Sequence, residues 1–317
     1  MVVSEIRELY LKVLGNIKSV MIGNEEVSSL IFSAMLAGGH ILLEDNPGTG
    51  KTTMAKVLAA SINGDFRRIQ FTPDLMPQDI TGLNIFSQKD GEFHLVKGPI
   101  FSNILLADEI NRATPRTQSA LLQAMEEREV TIDGETMTVG EPFIVIATEN
   151  PIETTGTFPL PEAQLDRFAL KLTMGELTVE EETMILERFI NSEPLKEVNP
   201  ICNAADIVEA ARVVKTVTVK PMVMKYITLL ADSTRKSSKI FFGVSPRAAL
   251  SLMRVSQAFA AISGRDYVTP DDVRFLAPYV FAHRIIPSSG STSLEDSRKL
   301  IKEAVSSVEV NVEDWNS

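Results

Sequence analysis

Asn46-Pro47-Gly48-Thr49-Gly50-Lys51-Thr52 lies between the apolar run His40-Ile41-Leu42-Leu43-Glu44 and a stretch, Lys51 to Ser61, with Met54, Val57 and Leu58 on one side. The run has the length and content of a buried strand, and the stretch has the spacing of a helix. A glycine-rich turn between a strand and a helix is the setting of a phosphate-binding loop. The backbone N–H groups of Gly48, Thr49, Gly50 and Lys51 can wrap a β-phosphate, and the following helix turns its positive end toward the anion. Lys51 supplies a point charge for the β- and γ-phosphates, and the Thr52 hydroxyl can bind Mg²⁺. One position departs from the pattern G-x-x-x-x-G-K-[ST]: Asp45 stands where the first glycine falls.

Downstream, Asn103-Ile104-Leu105-Leu106-Ala107 ends in Asp108-Glu109. In an open α/β sheet the carboxyl ends of the strands face the ligand, so acids placed there have a purpose. Asp108 is positioned to hold Mg²⁺, through water, and Glu109 to orient and deprotonate an attacking water. A further apolar strand, Phe143 to Thr148, leads to Glu149-Asn150-Pro151. Asn150 could reach the γ-phosphate or the water, although an Asn before Pro also reads as a plain turn residue. Arg167 in Leu165-Asp166-Arg167-Phe168 reads by itself as a surface or salt-bridge residue. Arg247 follows Ser245-Pro246 in the first turn of a helix, where the helix dipole opposes a cation; an anionic ligand would compensate.

Strand and helix signals alternate up to about residue 172, which predicts an α/β fold with a mostly parallel sheet covered on both faces. Asp90-Gly91 and Asp133-Gly134 sit between alternating residues and predict two hairpin tips, within an otherwise irregular stretch 72–98 and within 130–139. Beyond 172, helical spacing dominates, with Ser245-Pro246 and Thr269-Pro270 as cap-plus-proline starts. The expected domains are therefore 1–172, an αβα core, and 173–317, a smaller all-α lid with a last helix.

The chain has 317 residues, is 44% hydrophobic and carries a formal charge of −11. That length suffices for two cores, and the acidic balance argues against a nucleic-acid coat. The basic groups Arg67-Arg68 and Arg235-Lys236 with Lys239 lack interleaved aromatics and read as solvated faces. The single cysteine, Cys202, forbids an internal disulfide, and His40, His94 and His283 show no metal-ligand spacing. The stretch Met1 to Tyr10 lacks a signal-peptide core and no run of about 18 apolar residues occurs, so a soluble cytoplasmic protein without a membrane span is expected.

Several blocks together resemble the MoxR family of AAA+ ATPases: Gly98-Pro99-Ile100-Phe101, Leu106 to Ala113, Pro115 to Glu127, and Gly156-Thr157-Phe158-Pro159-Leu160-Pro161-Glu162-Ala163-Gln164-Leu165-Asp166-Arg167-Phe168. The resemblance covers roughly residues 15–285. It implies a three-layer αβα P-loop domain and a helical lid, assembled into a ring, usually of six subunits, with nucleotide between subunits. It implies that Asn46, Pro47, Gly48, Thr49, Gly50, Lys51, Thr52 and Thr53, together with Ile22 and Gly23, contact ATP, and that Thr52 and Asp108 hold Mg²⁺. Glu109 and Lys51 then act in catalysis, Asn150 matches sensor 1, Arg247 sensor 2, and Arg167 the arginine finger offered to a neighbour. Residues 81–97 correspond to the helix-2 insert and 129–140 to the hairpin before sensor 1. The implied partners are a von Willebrand A-domain protein and an unknown protein client to be remodelled, matured or loaded with metal. Two rival readings stay open: a magnesium-chelatase-like or DNA-linked ring motor, and a nucleotide-gated scaffold with slow turnover. A small-molecule phosphotransferase is more distant, since no acceptor site is visible.

Overall fold

The computed structural model describes residues 1–46, 48–151, 156–175, 177–190 and 192–309. Two helices, α1 (Val3–Val20) and α2 (Glu25–Leu36), precede strand β1 (Ile41–Glu44), helix α3 (Lys51–Ser61) and strand β2 (Phe66–Gln70). A one-turn helix α4 (Pro77–Thr81), unforeseen in the irregular stretch, leads into the hairpin β3 (Gly82–Ser87) and β4 (Glu92–Lys97). Strand β5 (Ile104–Asp108), helix α5 (Pro115–Glu127), the hairpin β6 (Glu129–Ile132) and β7 (Glu135–Thr138), and strand β8 (Ile144–Glu149) follow. The short helix α6 (Glu162–Leu165) and strand β9 (Leu170–Leu172) complete this half. Both hairpins turn at the Asp-Gly pairs, where Gly91 and Gly134 take positive φ.

Five strands form one parallel sheet in the order β2-β5-β8-β1-β9. The inner strands β1, β5 and β8 are apolar up to their carboxyl ends, where Glu44, Asp108, Thr148 and Glu149 stand, because helices cover both faces. Alternate residues feed two cores. Ile41, Leu43, Ile104, Leu106, Ile144 and Ile146 pack toward α1, α2 and α3, while Leu42, Leu105, Val145 and Ala147 pack toward α5 with Leu121, Leu122 and Met125. The edge strand β2 is more polar, carrying Arg67, Arg68 and Gln70 in partly solvated positions.

The remaining chain holds α7 (Val179–Phe189), α8 (Ala204–Val214), α9 (Pro221–Lys236), the strand β10 (Ile240–Phe242), α10 (Pro246–Ile262), α11 (Pro270–Phe281), the strand β11 (Ile286–Pro287) and α12 (Leu294–Ser307). The antiparallel β10–β11 pair is a small addition that helical spacing alone does not reveal. The apolar faces of α8 to α12 join the α1–α3 side in one continuous cluster, through residues such as Tyr226, Leu252 and Leu276.

Two buried histidines belong to this framework. The Nδ1 of His40 accepts the Val145 N–H at 2.9 Å, so its Nε2 carries the proton and donates to the Met125 carbonyl at 3.1 Å. His283 pairs through Nε2 with the Phe168 carbonyl at 3.0 Å. Burial, then the nearby cations Arg128 and Arg284 respectively, holds both imidazoles well below their ordinary pKa. The unfolded chain protonates these rings near pH 6.5 and the folded chain does not, so their stabilisation is complete above that pH and is lost as pH falls. Each costs ~1.4 kcal/mol per pH unit below about 6.5. The melting temperature should therefore drop between pH 6.5 and 5.5, and His40→Gln should flatten part of that slope. A slope unchanged in the variant would show that His40 contributes none of it.

Candidate functional site

The phosphate-binding loop leaves the carboxyl end of β1, in the middle of the sheet, and enters α3. Gly50 caps α3 at φ 88° and Gly48 sits at φ 89°, both in the left-handed region open to glycine. Asp45, at the first-glycine position, does not adopt positive φ, which is why a side chain is accommodated there. Its backbone N–H donates to the Glu149 carbonyl at 3.1 Å and its carboxylate accepts the N–H of Met174. Burial pushes the Asp45 carboxyl up, against the pull of the Met174 amide and Lys51. The Lys51 ammonium bonds the carbonyls of Asp45 at 2.9 Å and Asn46 at 3.1 Å. Burial lowers its pKa, while Asp45, Asp108 and Glu109 oppose that shift.

One cleft of about 360 Å³ collects Gly48, Thr49, Gly50, Lys51, Thr52 and Thr53 with Asp108, Glu109 and Asn150. Asn46 borders it through the carbonyl that holds Lys51; Pro47 lies outside the described residues. Ile22 and Gly23 are not among its lining residues and occupy the turn between α1 and α2. From that turn Met21 reaches the loop: a Cβ added to Gly50 would meet its Cε at 3.0 Å. The donor set suits Mg²⁺, which takes one or two carboxylates, phosphate oxygens and retained waters; Thr52 and Asp108 line the same wall.

The acids are held by residues that sequence reading missed. Thr148, on β8, donates to Asp108 Oδ1 at 2.6 Å and accepts the Glu109 N–H at 2.8 Å. It is a fully buried hydroxyl that directly follows the apolar run Ile144 to Ala147, the one signal that could have marked it. Glu109 adopts φ 55°, a left-handed conformation that costs a non-glycine residue energy and persists where its surroundings impose it. Its carboxylate accepts from Gln70 at 2.8 Å and Arg112 at 3.0 Å. Arg68, half-exposed as a solvated face would have it, also bonds Asp108 Oδ2 at 2.6 Å at the cleft. Arg68 and Gln70 alternate on β2 and so share a face beside β5.

Behind the loop, the Lys171 ammonium lies 2.5 Å from Glu44 and 3.3 Å from Glu149, all three largely buried. Burial disfavours the charged form of Lys171, but Glu149 and Glu44 outweigh it and raise its pKa. Burial also pushes the Glu149 carboxyl up.

Arg167 and Arg247 do not line this cleft. They converge on Glu126, Arg167 Nε at 3.0 Å from one oxygen and Arg247 at 2.8 Å from the other. A second cleft of about 280 Å³ contains them with His40, Arg254 and Arg284. Because His40 precedes β1 and Asp45 follows it, the two clefts open at opposite ends of the strand. At ~3.3 Å per residue that is a separation of about 16 Å. No group of three or more His, Cys, Asp or Glu side chains with metal-holding geometry occurs among the described residues, and no described helix is long and apolar enough to cross a membrane.

The family model for the "ATPase family associated with various cellular activities (AAA)" matches residues 40–170, and that for the "AAA lid domain" matches residues 232–304. The chain is 45% identical over 304 residues to the uncharacterized protein YeaC of Bacillus subtilis, covering 95% of each. It is 38% identical to Chaperone MoxR1 of Mycobacterium tuberculosis, over 90% of this chain and 78% of that protein. A crystal structure of a candidate ATPase from Cytophaga hutchinsonii superposes with a TM-score of 0.88 at 37% identity, covering 97% of this chain and 96% of the other.

Two substitutions separate the supports of the site. Thr148→Val should lower ATP turnover by roughly tenfold or more, the loss expected when one hydrogen bond to a charged group goes, with nucleotide affinity preserved. Turnover equal to the parent would remove Thr148 from the mechanism. Lys171→Met leaves two acids buried without their cation and should cost ~3–5 kcal/mol in denaturant unfolding; a neutral result would mean that Glu44 and Glu149 take up protons instead.

Proposed function

Because the chain belongs to the MoxR family of AAA+ ATPases, we propose that it hydrolyses ATP at junctions between identical copies arranged in a ring, and couples the cycle to remodelling of a protein client. The observation that carries this reading is the placement of Arg167 and Arg247. Both sit at the amino end of the parallel sheet, held by Glu126, while Lys51, Asp108, Glu109 and Asn150 face the carboxyl end. An arginine that opens at the far end of β1 from its own phosphate loop is poorly placed to stabilise a phosphoryl group bound there. It can serve the loop of the next copy, with the two arginines arriving together as a pair oriented by one carboxylate.

Within one copy, the loop amides and the amino end of α3 bind the phosphates, and Lys51 exchanges its loop carbonyls for phosphate oxygens. Thr52 and Asp108 are the residues that would hold Mg²⁺; bound there, the ion supplies charge neutralisation at the β- and γ-oxygens. Glu109, oriented by Thr148, Gln70 and Arg112, accepts the proton of the attacking water, and Asn150 positions that water or the γ-phosphate. Glu109 has no use in a scaffold that binds nucleotide without cleaving it, which favours the motor over the slow switch. A six-membered ring, a von Willebrand A-domain partner and a client awaiting maturation or metal complete the reading, as does the division into an ATPase core, 1–172, and a lid, 173–317.

Subunit mixing tests it. Lys51→Ala and Arg167→Ala should each lose activity, the second by about 10³–10⁵-fold, the span typical of an arginine finger. Mixed assemblies should regain turnover at junctions that keep both groups, and Glu109→Gln should bind ATP without cleaving it. Absence of recovery in proven co-assemblies, or full-speed hydrolysis by a monomer, would overturn the proposal.

A further inference from the structure

Helix α7 is amphipathic in the wrong sense for a helix at rest on its own chain. None of its eleven residues is buried. Its half-buried positions are Glu181, Ile185 and Arg188, and Arg188 fixes it to the α1 end by donating to the Lys18 carbonyl at 2.8 Å. The opposite stripe, at i, i+7 and i+11, exposes Val179 by 74%, Leu186 by 70% and, just past the helix end, Ile190 by 71%. Glu180, Glu182 and Glu187 flank it, all exposed. The first two also favour the helix dipole, but Glu187 near the C-terminus opposes it.

A cavity of about 720 Å³ lined by α2, α8 and α10 has the complementary character. Met35, Leu36, Val208, Leu250 and Met253 are among its apolar walls. Arg212, Lys215 and Arg254 stand exposed at its rim in a chain whose net charge is −11. Lys215 and Arg254 have no ion-pair partner among the described residues. The cavity cannot receive its own α7. It opens beside Gly38 and Phe143, at the amino ends of β1 and β8, whereas α7 follows β9 and anchors at the end of α1, just before α2. The twelve residues of α2 alone span about 18 Å between the two places.

We propose that the occupant is a second copy's α7, whose apolar stripe enters the α2–α8–α10 cavity while its glutamates meet Arg212, Lys215 and Arg254. The proposal rests on the junction described under Proposed function. The cavity shares Arg128, Leu250 and Arg254 with the cleft of Arg167 and Arg247, and α7 lies on the phosphate-loop side. Both complementary pairs thus run in one direction, forming a head-to-tail contact that can repeat around a ring. Arg254 lies two helical turns beyond Arg247 on α10 and links the pairs.

Crosslinking distinguishes this contact from the wider reading. In a Cys202→Ser background, a Leu186→Cys chain and a Met253→Cys chain are mixed with ATP and Mg²⁺ and treated with a short bis-maleimide. Covalent dimers should form in the mixture and not with either chain alone. Leu186→Asp should weaken assembly and cut turnover per chain by roughly tenfold, with nucleotide affinity of the monomer unchanged, and Arg254→Glu should do the same. Assemblies that pass the Lys51/Arg167 mixing test yet give no crosslink, and tolerate Leu186→Asp, would overturn this contact and leave the shared site standing. Leu186→Asp assemblies that hydrolyse normally but fail on a client would assign α7 to the client instead. A protein that never associates with ATP present would overturn both.

Discussion

A parallel strand has two chemically different ends, and the four residues of β1 hold those ends apart. On one side of that short strand the chain gathers backbone amides, Lys51, Thr52 and the acids Asp108 and Glu109; on the other it gathers Arg167, Arg247, Arg254 and Arg284. A right-handed crossover from each strand brings every loop that follows a strand to one edge, so the nucleotide groups of β1, β5 and β8 meet without needing to be near in sequence. The same polarity removes the arginines from the phosphates of their own chain. Separation of the phosphate-loop cleft from the arginine cleft is thus a property of the sheet, and it is the feature on which the proposed sharing of a site between copies rests.

Keeping charges at the edge of a dry sheet requires partners. Asp108 is shared by Thr148 and Arg68, Glu109 by Thr148, Gln70 and Arg112, and Lys171 stands between Glu44 and Glu149. These contacts involve β1, β2, β5, β8 and β9, so the site is cross-braced over the full width of the sheet. Glu126 does the same service at the opposite edge, where two guanidinium groups would otherwise repel. Such pairs contribute little net stability once desolvation is counted. Their return is geometric: they hold reactive groups in fixed directions before any ligand arrives.

Local signals were legible in the sequence. The loop 46–52 between an apolar run and a helix, the Asp108-Glu109 pair ending a strand, and the Asp-Gly hairpin tips each depend on residues a few positions apart, and periodicity captures them. Ser245-Pro246 and Thr269-Pro270 mark helix starts for the same reason. What stayed hidden depends on register and crossing. Arg68 reads as a solvated cation until β2 is seen to lie beside β5, which sets Gln70 opposite Asp108. Thr148 is one more residue of an apolar strand until β8 aligns it with the acid of β5. Glu126 lies 41 residues before Arg167 and 121 before Arg247, and no periodicity links them. Ile22 and Gly23, which the resemblance places at the nucleotide, do not line the cleft, while Met21 beside them reaches Gly50 of the loop.

The Asp45 carboxylate accepts the N–H of Met174. It replaces a glycine that would have offered no side chain at all, and so it ties the phosphate loop to the segment running on to α7. Displacement of the loop by as little as a fraction of an ångström strains or relieves that tether. The position of the loop and that of the segment leading toward α7 are thereby joined through a single carboxylate, a mechanical restraint that a glycine in the same place could not supply.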